Sequence, residues 1–132
     1  MATHKVDPDQ MRTAVLELAE WIVLPREQAL NKNNELSPNR AALAAAVRLT
    51  VHTLGDIAPG GSVEVRVPPF AAVQCVQGPS HSRGTPPNVV ETDPLTWLRI
   101  VTGVESLVDN PKVTMSGTRA PDVAQWLPLL RL

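Results

Sequence analysis

Between Gly78 and Asn88 the chain gathers His81, Arg83, the hydroxyls of Ser80, Ser82 and Thr85, and the amide of Asn88 on a backbone stiffened by Pro79, Pro86 and Pro87. An arginine fork beside preorganised backbone amides suits a carboxylate or phosphate, because the fork matches two anion oxygens and little conformational entropy is lost on binding. The same residues also fit a rigid surface turn in which Arg83 pairs with Glu91 or Asp93, and the sequence leaves both readings open. Nucleophilic catalysis by Ser80, His81 and Ser82 is disfavoured, since adjacent residues seldom place an imidazole within reach of a hydroxyl with a third group to orient it.

The remaining reactive side chains are sparse. His4, His52 and His81 lack metal-ligand spacing, and a single cysteine excludes both an internal disulfide and a Cys-based metal site, so no metal is expected. Cys75 lies in a run of Ala and Val, where a thiol behaves as a small hydrophobe. Neither a Gly-x-x-x-x-Gly-Lys-Ser/Thr loop nor a Gly-x-Gly-x-x-Gly turn follows a strand, so no nucleotide cofactor is expected. A net charge of −1 and only four aromatic residues, Trp21, Phe70, Trp97 and Trp126, argue against nucleic acid as a partner.

The elements that hold these groups are readable from cap chemistry and periodicity. With 132 residues, 43% of them hydrophobic and 19% charged, the chain reads as one globular domain, with a helical part over 8–57 and an α/β part over 62–132. No apolar run is long enough for stable membrane insertion, and no apolar leader follows Met1, which points to a cytoplasmic address. Asp7-Pro8-Asp9-Gln10 predicts a capping box and a helix carrying Met11, Val15, Leu18 and Ile22 inward, ended or kinked at Leu24-Pro25. Asn31 to Glu35 is polar and aperiodic, a surface loop without chemistry. Ser37-Pro38 predicts the start of a second, alanine-rich helix, with Leu43, Val47, Val51 and Leu54 inward and an end near Gly55.

Ser62 to Val67 alternates as a half-buried strand, Pro68-Pro69 connects it to a second strand over Ala71–Val76, and the pair predicts a hairpin. Asn88–Glu91 is a third strand and Lys112–Ser116 a fourth. Between them Asp93-Pro94 caps a helix carrying Leu95, Leu98 and Val101, which Gly103 stops. Pro121 opens a last helix with Val123, Trp126, Leu127 and Leu130 inward. This order predicts an α+β fold: a mainly antiparallel sheet of four or five strands covered by helices.

Two stretches, Val89-Val-Glu-Thr-Asp93-Pro-Leu-Thr-Trp97-Leu-Arg-Ile-Val-Thr-Gly103 and Lys112-Val-Thr-Met-Ser116-Gly117-Thr-Arg119-Ala120, carry a family resemblance. The pattern of strand, short helix closing on Gly, and strand ending in Ser-Gly resembles the sterol carrier protein (type two) superfamily. It is most similar to the bacterial branch also seen as the C-terminal domain of mycothiol-dependent maleylpyruvate isomerases. Residues 62–93 resemble the stand-alone actinobacterial form, and together the resemblance covers about residues 37–132. It implies an apolar cavity between sheet and helices that takes a fatty acyl or sterol-like molecule, lined by Val65, Val73, Val90, Leu98, Met115 and Trp126. His81, Arg83 or Arg119 would hold the polar head. The isomerases' separate metal-bearing helical domain has no counterpart here, so isomerase activity is not implied. The expected protein is a non-enzymatic binder or carrier of a lipophilic molecule. The alternative is an interaction module with a filled core, partnered by a second copy or by another protein.

Overall fold

The computed structural model describes residues 5–78 and 88–132. The N-terminal segment folds as three short helices where the sequence predicts one. Asp7 caps α1 (Pro8–Leu16) by accepting the Asp9 amide at 2.9 Å, and Pro8 occupies a first-turn position whose missing N–H would have no helical partner. Gln10, expected to complete a capping box, makes no bond back to the cap among the described residues. The helix breaks where the Leu18 amide bonds the Val15 carbonyl at 2.9 Å, a tighter turn, before α2 (Ala19–Ile22). Pro25 then takes an extended ψ of 139° and introduces α3 (Arg26–Ala29). Met11, Val15, Leu18 and Ile22 are all buried as predicted, but the bends also turn Trp21 inward to 6% exposure.

The long helix α4 (Arg40–Ile57) starts two residues later than Ser37-Pro38 suggests. Asn39 is the cap, its Oδ1 accepting the Ala42 amide at 2.7 Å. Nor does the helix end at Gly55. A Cβ at that position would stand 2.6 Å from Val73 Cγ2 on the neighbouring sheet, so Gly55 permits a close helix–strand approach and terminates nothing. Gly55→Ala should therefore lower the melting temperature: alanine's helical advantage of about 1 kcal/mol is smaller than the roughly 1–3 kcal/mol of overpacking. Adding Val73→Ala should recover stability, and a single Gly55→Ala that melts higher than wild type would refute the contact.

The sheet runs in the order β2 (Ala71–Cys75), β1 (Val63–Val67), β3 (Val89–Glu91), β4 (Thr114–Ser116). The β1–β2 hairpin is antiparallel, closed through Pro68-Pro69 by the Phe70 amide on the Val67 carbonyl at 3.0 Å. The β3–β4 pair is also antiparallel but β1–β3 is parallel, so the four-stranded sheet is mixed. Val63, Val65 and Val67 face inward at 0% exposure while Glu64 and Arg66 take the other face, as strict alternation dictates.

Asp93 caps α5 (Pro94–Val101) through the Thr96 amide at 2.7 Å, and Gly103 closes it in the left-handed region at φ 78°. Every residue from Leu95 to Val101 is buried, sandwiched between α4, α2 and the core. The last helix is a 3-10 helix, Ala120–Trp126. Pro128 holds Leu127 extended (φ −111°, ψ 147°), which ends the helix there. Among the described residues no helix is long and apolar enough to cross a membrane.

Candidate ligand groove

The N-terminal helices are fastened to the rest of the molecule by specific bonds, and the fastening creates a groove. Trp21 donates its indole N–H to the Ala29 carbonyl at 2.8 Å, which folds α3 back beside α2 and fixes the ring plane. Arg26 reaches the cap of α5, donating to Asp93 Oδ2 at 2.8 Å and to Thr96 Oγ1 at 2.9 Å. The Val6 amide donates to Asp56 Oδ2 at 2.8 Å, tying the chain start to the end of α4. On the opposite wall Arg40 lies over the Phe70 ring, its guanidinium carbon 5.0 Å from the centroid.

Two adjoining concavities result. One, of about 360 Å³, is lined by Leu30, Lys32, Pro38, Arg40 and Phe70; the other, of about 230 Å³, by Arg26, Asp93, Pro94 and Leu95. Trp21, Leu30 and Leu43 line both, so they form one elongated trough with an apolar middle. Its volume is in the range of small-molecule sites, which run from roughly 300 to 1,000 Å³ and are mostly apolar with a few polar groups.

Asp93 is the one carboxylate among the described residues lining this wall, and its charge is already matched. Burial alone would raise its carboxyl, but the Thr96 amide and hydroxyl and the Arg26 guanidinium hold it below the ordinary aspartate range. A carboxyl whose pKa is depressed by folding contributes stability above its unfolded value, and that contribution is lost as pH falls through the folded value. Urea midpoints of wild type and Asp93→Asn should therefore differ modestly at neutral pH, the Asp93 side chain being 39% exposed, and converge as pH drops below about 4. A gap that stays constant with pH would show that the Arg26 pair is not carried by charge.

The residues expected from the sequence lie elsewhere. Val73, Val65, Val90 and Met115 stand in register as one row across all four strands on a single face of the sheet. Val65, Val90 and Leu98 are at 0% exposure, and Val73, Met115 and Trp126 are half-buried against the same core. None of the six lines the trough. Arg119 is exposed beside Gly78; its amide donates to Asn88 Oδ1 at 2.9 Å and its guanidinium is 3.9 Å from Asp122. His81 and Arg83 lie outside the described residues. Cys75 is fully buried and burial pushes its thiol up to about 11, in keeping with a core role.

The trough residues escaped the sequence reading for identifiable reasons. Trp21 sits off the predicted stripe, and the Asn31–Glu35 loop, which holds Lys32, is polar and aperiodic. Phe70, the only phenylalanine, directly follows two prolines, a placement that could have flagged it as a positioned aromatic.

Residues 39–129 match the protein-family model described as a bacterial SCP ortholog. No curated protein matches the chain.

Proposed function

The chain belongs to this bacterial sterol-carrier-like family, and on that premise we propose that it is a non-enzymatic carrier or sensor for a lipophilic small molecule, acting in the cytoplasm. The observation that supports this reading is the trough over Trp21, Leu30 and Leu43, an apolar surface left open beside the core. Covering apolar surface yields about 25 cal/mol per Å², so a ligand that hides the trough gains most of its affinity without any reactive group.

Saturable displacement of a fluorescent fatty acid from the purified chain, with a co-purified ligand visible in native mass spectrometry, is the expected result. Absence of both would remove the carrier reading. The packed row from Val73 to Met115 favours a second reading, an interaction module whose core holds no ligand. That reading expects no saturable displacement, and a concentration-dependent dimer or a captured partner in its place.

A further inference from the structure

We infer that Lys32 and Arg40 make the trough selective for an anionic, single-chain amphiphile, a fatty carboxylate in preference to a neutral, sterol-like molecule. This rests on the carrier reading above and adds which head group is chosen, where, and by which residues. The family match begins at residue 39, so Trp21, Ala29, Leu30, Lys32 and Pro38 reach the trough from the segment ahead of it, while Arg40, Leu43 and Phe70 come from the matched part. The site is therefore a joint product of the two and exists only while the leading segment is docked. Its docking is set by Arg26 on Asp93 and Thr96 and by Trp21 on Ala29, which leaves the walls preorganised.

The charges along the trough are unequal. At the Asp93 end, the Arg26 guanidinium is spent on a carboxylate 2.8 Å away, so that end is effectively neutral. At the opposite end Lys32 and Arg40 line the wall, and among the described residues neither has a carboxylate within 4.0 Å. Phe70 holds one face of the Arg40 guanidinium, which leaves the N–H edge for a ligand. Leu30, in the shared middle, is 55% exposed, an apolar side chain that an occupying tail would cover. A carboxylate between Lys32 and Arg40 with its tail laid over Trp21, Leu43 and Leu30 toward Leu95 satisfies each of these features. A neutral hydroxyl would gain no charge-assisted bond from either cation.

Calorimetric titration with dodecanoate, dodecanol and dodecyltrimethylammonium, each below its micellar concentration, tests the inference. Wild type should bind dodecanoate about tenfold or more tighter than dodecanol, as expected for charge-assisted hydrogen bonds, and the cation weakest. In Lys32→Ala/Arg40→Ala the ratio of dodecanoate to dodecanol affinity should fall to about one. Leu30→Ser, at an exposed position that folding tolerates, should weaken both dodecanoate and dodecanol and leave their ratio intact. Far-ultraviolet circular dichroism of each variant checks that the fold is retained. Equal binding of the anion and the alcohol by wild type would overturn the selectivity and leave the carrier reading standing; no binding of any probe would overturn both. A preference that survives Lys32→Ala/Arg40→Ala would move the head group to other cations such as Arg83 or Arg119 and overturn the assignment. A dimer that Leu30→Ser dissociates would give the trough to a second copy of the chain, with the same consequence.

Discussion

Trp97→Ala should lower stability by roughly 3–5 kcal/mol, the range for deleting a large buried aromatic, and so remove much of the roughly 5–15 kcal/mol that a domain of this size has. Trp97 heads the fully buried side chains by volume, at 0% exposure on α5. Its indole N–H donates to Thr50 Oγ1 on α4 at 2.8 Å, and the Thr50 hydroxyl in turn donates back to its own helix, with the Ala46 and Val47 carbonyls at 2.7 and 2.9 Å. The tryptophan thus fills the α4–α5 interface and supplies a buried polar link between two helices. Trp97→Phe keeps most of the volume and loses the link, for a cost of about 1–2 kcal/mol. Thr50→Val leaves the indole N–H buried without an acceptor and should cost about as much or more, yet combined with Trp97→Phe the penalties should be less than additive. Urea denaturation followed by circular dichroism reads all four proteins. A Trp97→Ala loss under about 1 kcal/mol would mean the interface repacks, contrary to a site walled on both sides by helices.

Elements bounded by local chemistry were legible in the sequence. Asp93-Pro94 and Gly103 bracket α5 because the cap, the proline and the left-handed stop each act within a few residues. The alternation of Val63, Val65 and Val67 marks β1 because a pleated strand has no other way to bury one face. What decides the remaining boundaries is tertiary. The break at Leu18 follows from where the leading helices must pack, and Gly55 stays helical because a strand crosses close to it, which no local signal reports. The parallel β1–β3 pairing has the same origin: the hairpin was visible, but which strand lies beside β1 depends on the chain's return after β2.

The candidate site was less legible than the fold, and for a related reason. The expected cavity residues Val65, Val90 and Leu98 are inward, as their periodicity requires, but periodicity says which way a side chain points and not whether space remains in front of it. The trough depends on Trp21 and Arg40 lining one concavity and on Arg26 fastening α3 to Asp93 and Thr96 of α5. Asp93 has a sufficient local explanation as a helix cap, and Arg26 lies beyond Leu24-Pro25 in no motif or periodic stripe, so nothing in the sequence signals that they meet.

Arg99 and Glu105 give the second large effect, and its asymmetry is the informative part. Arg99 is buried to 8% exposure; one guanidinium nitrogen donates to the Leu24 carbonyl, another to Glu105 Oε2 at 3.3 Å, and its Nε–H is buried without a partner among the described residues. Glu105 has further support from Lys112 Nζ at 3.3 Å and Asn110 Nδ2 at 3.0 Å. Although burial acts to raise the Glu105 carboxyl, its bonds to Asn110, Lys112 and Arg99 hold it below the usual range. Removing the two partners therefore has different consequences. Arg99→Met leaves Glu105 with a cation and an amide, and the methionine fills the vacated channel, so the loss should be about 1–2 kcal/mol, mostly from the freed Leu24 carbonyl. Glu105→Met leaves a buried guanidinium with no counter-charge and should cost about 3 kcal/mol or more. The double variant should be more stable than Glu105→Met alone, because the stranded charge is gone. Urea midpoints of the three variants decide it: if Arg99→Met is the more damaging single change, the guanidinium's bond to the Leu24 carbonyl outweighs its ion pair with Glu105.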